Sequence, residues 1–236
     1  MRILGLDLAW GERNPDGVAL LEVVGTAARL VDSQRVQGDD ALLDWVARSA
    51  PASEPALLLI DAPVVCPNAS GSRPVDRESH RVFGRQHAGC HPSNQRLCAR
   101  PLRLVEKFQG LGVRIGWEIP IEGRRMSEVY PHAALVRFFG LDRILKYKRG
   151  PVGLRRQEFQ RLQSLIGGHL PSLFPSLERG PLLEELLALS WTKDAEDRLD
   201  AVICALIGLH HLSHRGERSE ILGDPKTGFI LVPVCS

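Results

Sequence analysis

The stretch DAEDRLDAVICALIGLHHL, residues 194–212, decides how the chain is read. From Ala201 to Leu209 it carries no charge, as a helix buried on most faces would, yet it enters that burial with Asp197 and Asp200. Residues i and i+3 on a helix face the same way, so both carboxylates can serve one site. Asp197 suits the first turn of a helix capped by Thr192 or Asp194. Asp200 lies further in, where capping gives it no role.

Working outward, RILGLDLAW (2–10) alternates, with Leu4, Leu6 and Leu8 on one face and Ile3, Gly5, Asp7 and Ala9 on the other, the period of a strand. GERNPDG (11–17) is a turn, and GVALLEVVG (17–25) and ARLVDSQRV (28–36) are two further strands of an antiparallel meander. DDALLDWVARSA (39–50) has helical spacing with acids in its first turn. PALLLIDAPV (55–64) is a continuous apolar run, the mark of a central strand buried on both faces, and it ends at Asp61. Residues 65–100 read as a long loop, followed by a helix over 101–111, so that an insertion spans about 65–112. MSEVYP (126–131) is a short strand that hands over at Pro131 to a helix. Helices at about 153–168 and 180–190, the opening helix, and a closing hairpin at about 219–235 complete the order. The pattern predicts an α/β fold with a mixed β-sheet flanked by helices, as a single domain over 1–236.

Asp7, Asp61, Glu128, Asp197 and Asp200 are thus carboxylates placed where apolar patterning predicts burial. An isolated buried carboxylate is costly and tends to take a proton. A divalent cation removes that cost, and Mg2+ or Mn2+, which prefer oxygen ligands, fit a cluster of converging acids. The alternatives are a pairing with arginine for Asp7, initiation of the turn DAP for Asp61, a solvated or ion-paired strand residue for Glu128, and first-turn helix acids for Asp197 and Asp200.

GLDLAW (5–10), IDAP (60–63), RPVDRESHR (73–81), EVYPHAAL (128–135) and DRLDA (197–201) together resemble the domain of unknown function 429 family, whose members are predicted nucleases with a ribonuclease H-like fold. DRLDAVICAL is also similar to the last active-site helix of bacterial Holliday-junction resolvases, which have a Glu where this chain has Asp61. The resemblance implies a divalent-metal-dependent nuclease. Asp7, Asp61 and Asp200 would hold Mg2+ or Mn2+, Glu128 and Asp197 would be additional or outer ligands, and two metals would serve the attacking water and the leaving oxygen. It also places Arg73, Asp76 and Arg77 at the border of the site.

Arg73, Arg77, Arg81 and Arg85 recur at i, i+4, which on a helix makes one basic face suited to phosphates. A second basic run, Arg143, Lys146, Lys148, Arg149, Arg155, Arg156 and Arg161, would extend a nucleic-acid track. His132 either donates to substrate or caps the helix after Pro131. The spacing of His87, Cys90, His91 and Cys98 fits none of the usual zinc patterns. No Walker loop, G-x-S-x-G or dinucleotide fingerprint is present.

Composition restricts the rest. The 236 residues carry 30 basic and 28 acidic side chains, a formal net charge of +2, so no global field demands nucleic acid or an anionic surface. The N-terminus does not resemble a secretory signal, and no apolar run is long enough to span a membrane. Five cysteines, an odd number, suggest reduced thiols, and the expected setting is cytoplasmic, with DNA or RNA as partner and a homo-oligomer open. Two other readings stand beside the nuclease: a non-catalytic nucleic-acid or small-ligand binding module of the same fold, and an actin- or sugar-kinase-like phosphotransferase.

Overall fold

A computed structural model describes residues 1–235. Strands β1 (Arg2–Asp7), β2 (Asp16–Val24) and β3 (Ala27–Val36) form the antiparallel meander, and α1 (Asp39–Ser49) leads into β4 (Ala56–Ile60). Two helices follow, α2 (Pro74–Phe83) and α3 (Ala99–Gly110), then strands β5 (Val113–Ile115) and β6 (Arg124–Glu128) and helix α4 (Pro131–Phe139). Helices α5 (Val152–Leu173), α6 (Pro181–Ala188) and α7 (Lys193–Ser213) precede a separate hairpin of β7 (Ser219–Asp224) and β8 (Gly228–Pro233).

The main sheet has the order β3-β2-β1-β4-β6-β5. Its first three strands are antiparallel, while β1, β4, β6 and β5 run parallel. This mixed sheet with helices on both faces is the ribonuclease H-like α/β arrangement expected from the sequence.

The alternation in the first strand sorts the two faces. Leu4, Leu6 and Leu8 pack with α1 and α3, through Leu42, Trp45, Val46, Leu104 and Phe108. Ile3 faces the other way, onto a core built by α4, α5, α6 and α7. In β4, Leu57 and Leu59 serve that second core while Leu58 and Ile60 serve the first, and none is exposed. Each such side chain contributes about 1.5–3 kcal/mol of transfer free energy, which explains why the central strand is apolar throughout.

Helix α7 starts where Thr192 accepts a hydrogen bond from the Ala195 amide at 3.0 Å. It lies across β1 to β4 at very short range, because glycines face it. A Cβ on Gly5 would stand 1.9 Å from the Ala201 carbonyl oxygen, and one on Gly17 would stand 2.1 Å from that of Asp197. The two glycines therefore set how near Asp197 and Asp200 come to the sheet.

Two segments differ from expectation. The span 65–100 contains α2 and the first residues of α3, with Pro74 at the first helical position and Asp76 accepting from the Arg73 amide at 2.8 Å. Strand β5 has only three residues, too few for any periodicity to mark it. The closing hairpin forms where expected and buries Leu222, Ile230 and Val232 against Val75, Phe83, Ala133 and Val136 of α2 and α4. Among the described residues, no helix is long and apolar enough to cross a membrane.

Candidate functional site

Parallel register brings Leu6, Ile60 and Glu128 side by side at the carboxyl ends of β1, β4 and β6. Asp7 and Asp61 follow one residue later, so three acids line the crevice beyond the strand ends, the usual ligand position in open α/β sheets. Above them lies a cavity of about 740 Å³. Asp7, Asp61 and Glu128 line its floor, and Leu8, Val129, Tyr130, Ile144 and Leu154 add apolar surface. Asp200 reaches the same acids from beneath, fully buried on α7.

Each of these acids except Asp7 meets a cation of the protein's own. The Lys148 Nζ lies 2.9 Å from Asp200 Oδ2 and 3.9 Å from Asp61 Oδ2, while the Tyr147 hydroxyl donates to Asp200 Oδ1 at 2.7 Å. Glu128 is held by Arg73, whose Nη1 and Nη2 donate to its two oxygens at 2.7 and 2.6 Å. Arg73 also donates to Asp76 and to the Val65 carbonyl oxygen, and the Val64 amide donates to Glu128 at 3.2 Å. The arginine is 1% exposed. A Cβ on Gly228, which has φ +113°, would approach its Cδ to 2.9 Å, so the hairpin closes over it only as glycine. Asp197 pairs instead with Arg35 at 3.1 Å and Lys193 at 2.7 Å, on the side of α7 that meets β3.

The titration of these groups follows from burial and pairing. Burial pushes Asp200 up to about 7 against the pull of Lys148 and the Tyr147 hydrogen bond. Asp61 is raised well above the usual carboxylate range by burial and by its acidic neighbours, with Lys148 opposing. Glu128 is raised by burial, against Arg73. Burial alone would lower Lys148, but Asp200, Asp7, Tyr147 and Asp61 outweigh it and hold the ammonium well above its ordinary value. Lys148 is therefore a fixed positive charge and not an amine nucleophile.

The expected metal centre does not form. Among the described residues, no group of three or more His, Cys, Asp and Glu side chains is arranged to hold a metal ion. The physical reason lies at Lys148, which stands against Asp61 and Asp200 where a cation would have to bind. The carboxylate set Asp7, Asp61 and Asp200 does not fit Mg2+ or Mn2+, Glu128 is committed to Arg73, and Asp197 is turned away. The two-metal nuclease implied by the resemblance, and with it the hydrolase and metal-binding assignment, is corrected accordingly.

The basic residues divide as well. Arg73 and His132 line the cavity, whereas Arg77 and Arg81 are exposed on the outer face of α2, Arg77 donating to the Ser72 carbonyl oxygen at 2.7 Å and Arg81 to Glu78 at 3.2 Å. His132 lies in the first turn of α4 without a capping hydrogen bond. Its Nδ1 is buried and unpartnered among the described residues, and burial together with Lys148 and Arg149 lowers it to about 3, so the ring is neutral. His91 and Arg149 meet at 2.7 Å at the cavity rim.

Sequence reasoning missed Asp16, which has no exposed surface and takes a two-pronged hydrogen bond from Arg100 at 2.8 and 2.6 Å. It also accepts from the Ala9 amide at 2.9 Å, which ties the β1–β2 turn to α3. Its position in NPDG reads only as a turn.

A search of curated proteins returned no match. A family model described as protein of unknown function (DUF429) matches residues 5–227, and the chain belongs to that family.

Proposed function

We propose that the chain is a non-catalytic small-ligand binding module of ribonuclease H-like fold, one domain with an insertion, that takes an anionic small molecule with an apolar body. The observation that carries this reading is the charge balance of the floor. Lys148 answers Asp61 and Asp200, and Arg73 answers Glu128, which leaves an ordered cavity whose rim is basic. The Lys146 ammonium and the Arg149 guanidinium line that rim with no salt bridge among the described residues, the Lys146 backbone amide alone meeting Glu158 at 3.2 Å, and His91 adds a third polar group. At about 740 Å³ the cavity falls in the range of small-molecule pockets, ~300–1,000 Å³. An anionic group at Lys146 and Arg149 would leave the rest of the ligand against Leu8, Tyr130, Ile144 and Leu154. A cytoplasmic setting belongs to the same reading, supported by five free cysteines, of which four are buried.

The test is a thermal-shift screen of phosphate- and carboxylate-bearing small molecules beside neutral analogues and single-stranded oligonucleotides, confirmed by calorimetry. Anionic small molecules are expected to raise the melting temperature of the wild type and to lose that effect in Lys146→Glu/Arg149→Glu. Stabilisation by oligonucleotides alone, surviving that double substitution, would replace this reading with a nucleic-acid surface on the exposed face of Arg77, Arg81 and Arg85.

A further inference from the structure

Asp7 and Asp61 differ from the other acids of the cluster in what they lack. Glu128 is bound through both oxygens by Arg73, and Asp200 by Tyr147 and Lys148. Among the described residues, the Asp7 side chain takes no hydrogen bond and no salt bridge, and Asp61 has only the Lys148 ammonium at 3.9 Å, beyond hydrogen-bond reach. Both are half-buried and line the cavity, so a ligand there meets two carboxyl groups with unused hydrogen-bonding capacity.

Hydroxyl groups suit these partners better than an amine does. Lys148 already sets a fixed positive charge against Asp61, and a second ammonium on the floor would stand beside it. Asp61 is raised well above the usual carboxylate range, by burial first, and a protonated carboxyl both donates and accepts, as a hydroxyl does. His132, a neutral ring whose Nδ1 has no partner among the described residues, lines the same cavity and adds a hydrogen-bonding group without charge. Trp10, a large apolar side chain left 37% exposed, gives the cavity a flat wall.

We propose that the ligand of this cavity is a polyhydroxylated anion: a sugar ring sets its hydroxyl groups on Asp7 and Asp61, packs its C–H face on Trp10, and leaves its phosphate or carboxylate at Lys146 and Arg149. The proposal rests on the small-ligand reading above and names the ligand class. Free sugar phosphates and mononucleotides share this chemistry.

The experiment measures affinity by calorimetry on the full chain. The probes are ribose phosphate and adenylate, each beside its deoxy form, glucose phosphate beside glucosamine phosphate, and free ribose. At least one hydroxylated probe is expected to bind about tenfold or more tightly than its deoxy or amino counterpart, the scale of one hydrogen bond to a charged group. Asp7→Ala, checked for folding by circular dichroism, is expected to erase that difference. Tighter binding of adenylate than of ribose phosphate would support a nucleotide as the source, and the reverse a free sugar phosphate. Equal affinity with and without the hydroxyl, tighter binding of the amine, a preference that survives Asp7→Ala, or no binding by any probe would overturn the proposal. If Asp7→Ala does not fold, the wild-type comparison of hydroxylated and deoxy forms decides alone. Binding that ignores the hydroxyls but is lost in Lys146→Glu/Arg149→Glu would remove the ligand class and keep the anionic reading. A hydroxyl preference that Asp7→Ala erases and that double substitution leaves intact would uphold the hydroxyl contacts and remove the anionic reading.

Discussion

Replacing Arg73 by methionine keeps most of the apolar stem and deletes the guanidinium. That group donates to both oxygens of Glu128, to Asp76 through Nε and Nη2 at 3.0 and 2.9 Å, and to the Val65 carbonyl oxygen at 3.0 Å. Glu128 is 4% exposed and Asp76 1%, so water does not replace it. Removing one partner of a buried ion pair costs about 3–5 kcal/mol. The ceiling for Glu128 is the cost of taking a proton at neutral pH, about 3.7 kcal/mol from ~1.36 kcal/mol per pH unit over the interval above ~4.3. Asp76 keeps the Arg73 and Ser93 amides, both at 2.8 Å, and adds less. The expected loss is about 5 kcal/mol at neutral pH, comparable with the whole stability of a marginal domain at ~5–15 kcal/mol.

The pH dependence supplies the decisive check. Burial already raises Glu128 while Arg73 lowers it, so without Arg73 it rises further. For a carboxyl raised above its unfolded value, stability is fully present below that value and falls as pH rises through the folded one. The gap between wild type and Arg73→Met should therefore narrow on acidification from pH ~8 toward the unfolded value of ~4.3. Urea denaturation followed by tryptophan fluorescence across that range measures it, with Arg73→Met/Glu128→Gln expected to regain part of the loss. A neutral-pH loss below about 1 kcal/mol, the scale of an exposed pair, or a gap unchanged by acid would refute the reasoning.

Two further outcomes follow from the same geometry. Gly5→Ala places a methyl group 1.9 Å from the Ala201 carbonyl oxygen and 2.6 Å from the Ala205 amide nitrogen, both backbone. Overpacking of this kind costs about 1–3 kcal/mol or more, and with backbone on the far side a loss beyond that range is expected; a melting temperature equal to wild type would contradict the packing of α7. Asp200, pushed up to about 7, favours the fold below its unfolded value and ceases to do so as pH rises through 7. Wild-type stability should fall by up to about 1.4 kcal/mol per pH unit from this group as pH rises from its unfolded value of ~3.9 toward 7, levelling off above, and Asp200→Asn should flatten that slope. Parallel pH profiles for the two proteins in melting experiments would sink the assignment.

The strands and their faces were legible because burial follows local alternation. Ile3 and Leu4 fall on opposite cores, as the period in RILGLDLAW requires, and the unbroken LLLI of 57–60 is covered on both faces. The start of α7 at Thr192 follows from the preference of threonine for that position. The sequence put Asp61 at the end of the central strand, while Asp7 and Glu128, read within their strands, fall at the last residues of β1 and β6, and what these acids meet was not legible. Arg73 lies 55 residues from Glu128 in sequence, and Lys148 belongs to a basic run that reads as the extension of a nucleic-acid track. Local signals existed. Arg-Pro with an Asp three residues after the arginine marks a helix start that turns its first side chain inward. Leu145 and Tyr147 inside DRILKYKRG mark a segment pinned to the core and not a free charged loop. Neither signal names its partner, since pairing across the sheet is fixed by tertiary packing.

The close seat of α7 on Gly5 and Gly17 bears on how the molecule is made. The first three strands emerge early in synthesis, yet the helix that covers them is one of the last elements to follow, so their apolar face stays open until translation is nearly finished. Contacts that join such distant parts of the chain form slowly, and an exposed sheet face in the interval favours association with other nascent chains. Fragments ending before Lys193 should remain unable to complete this core, however intact their meander.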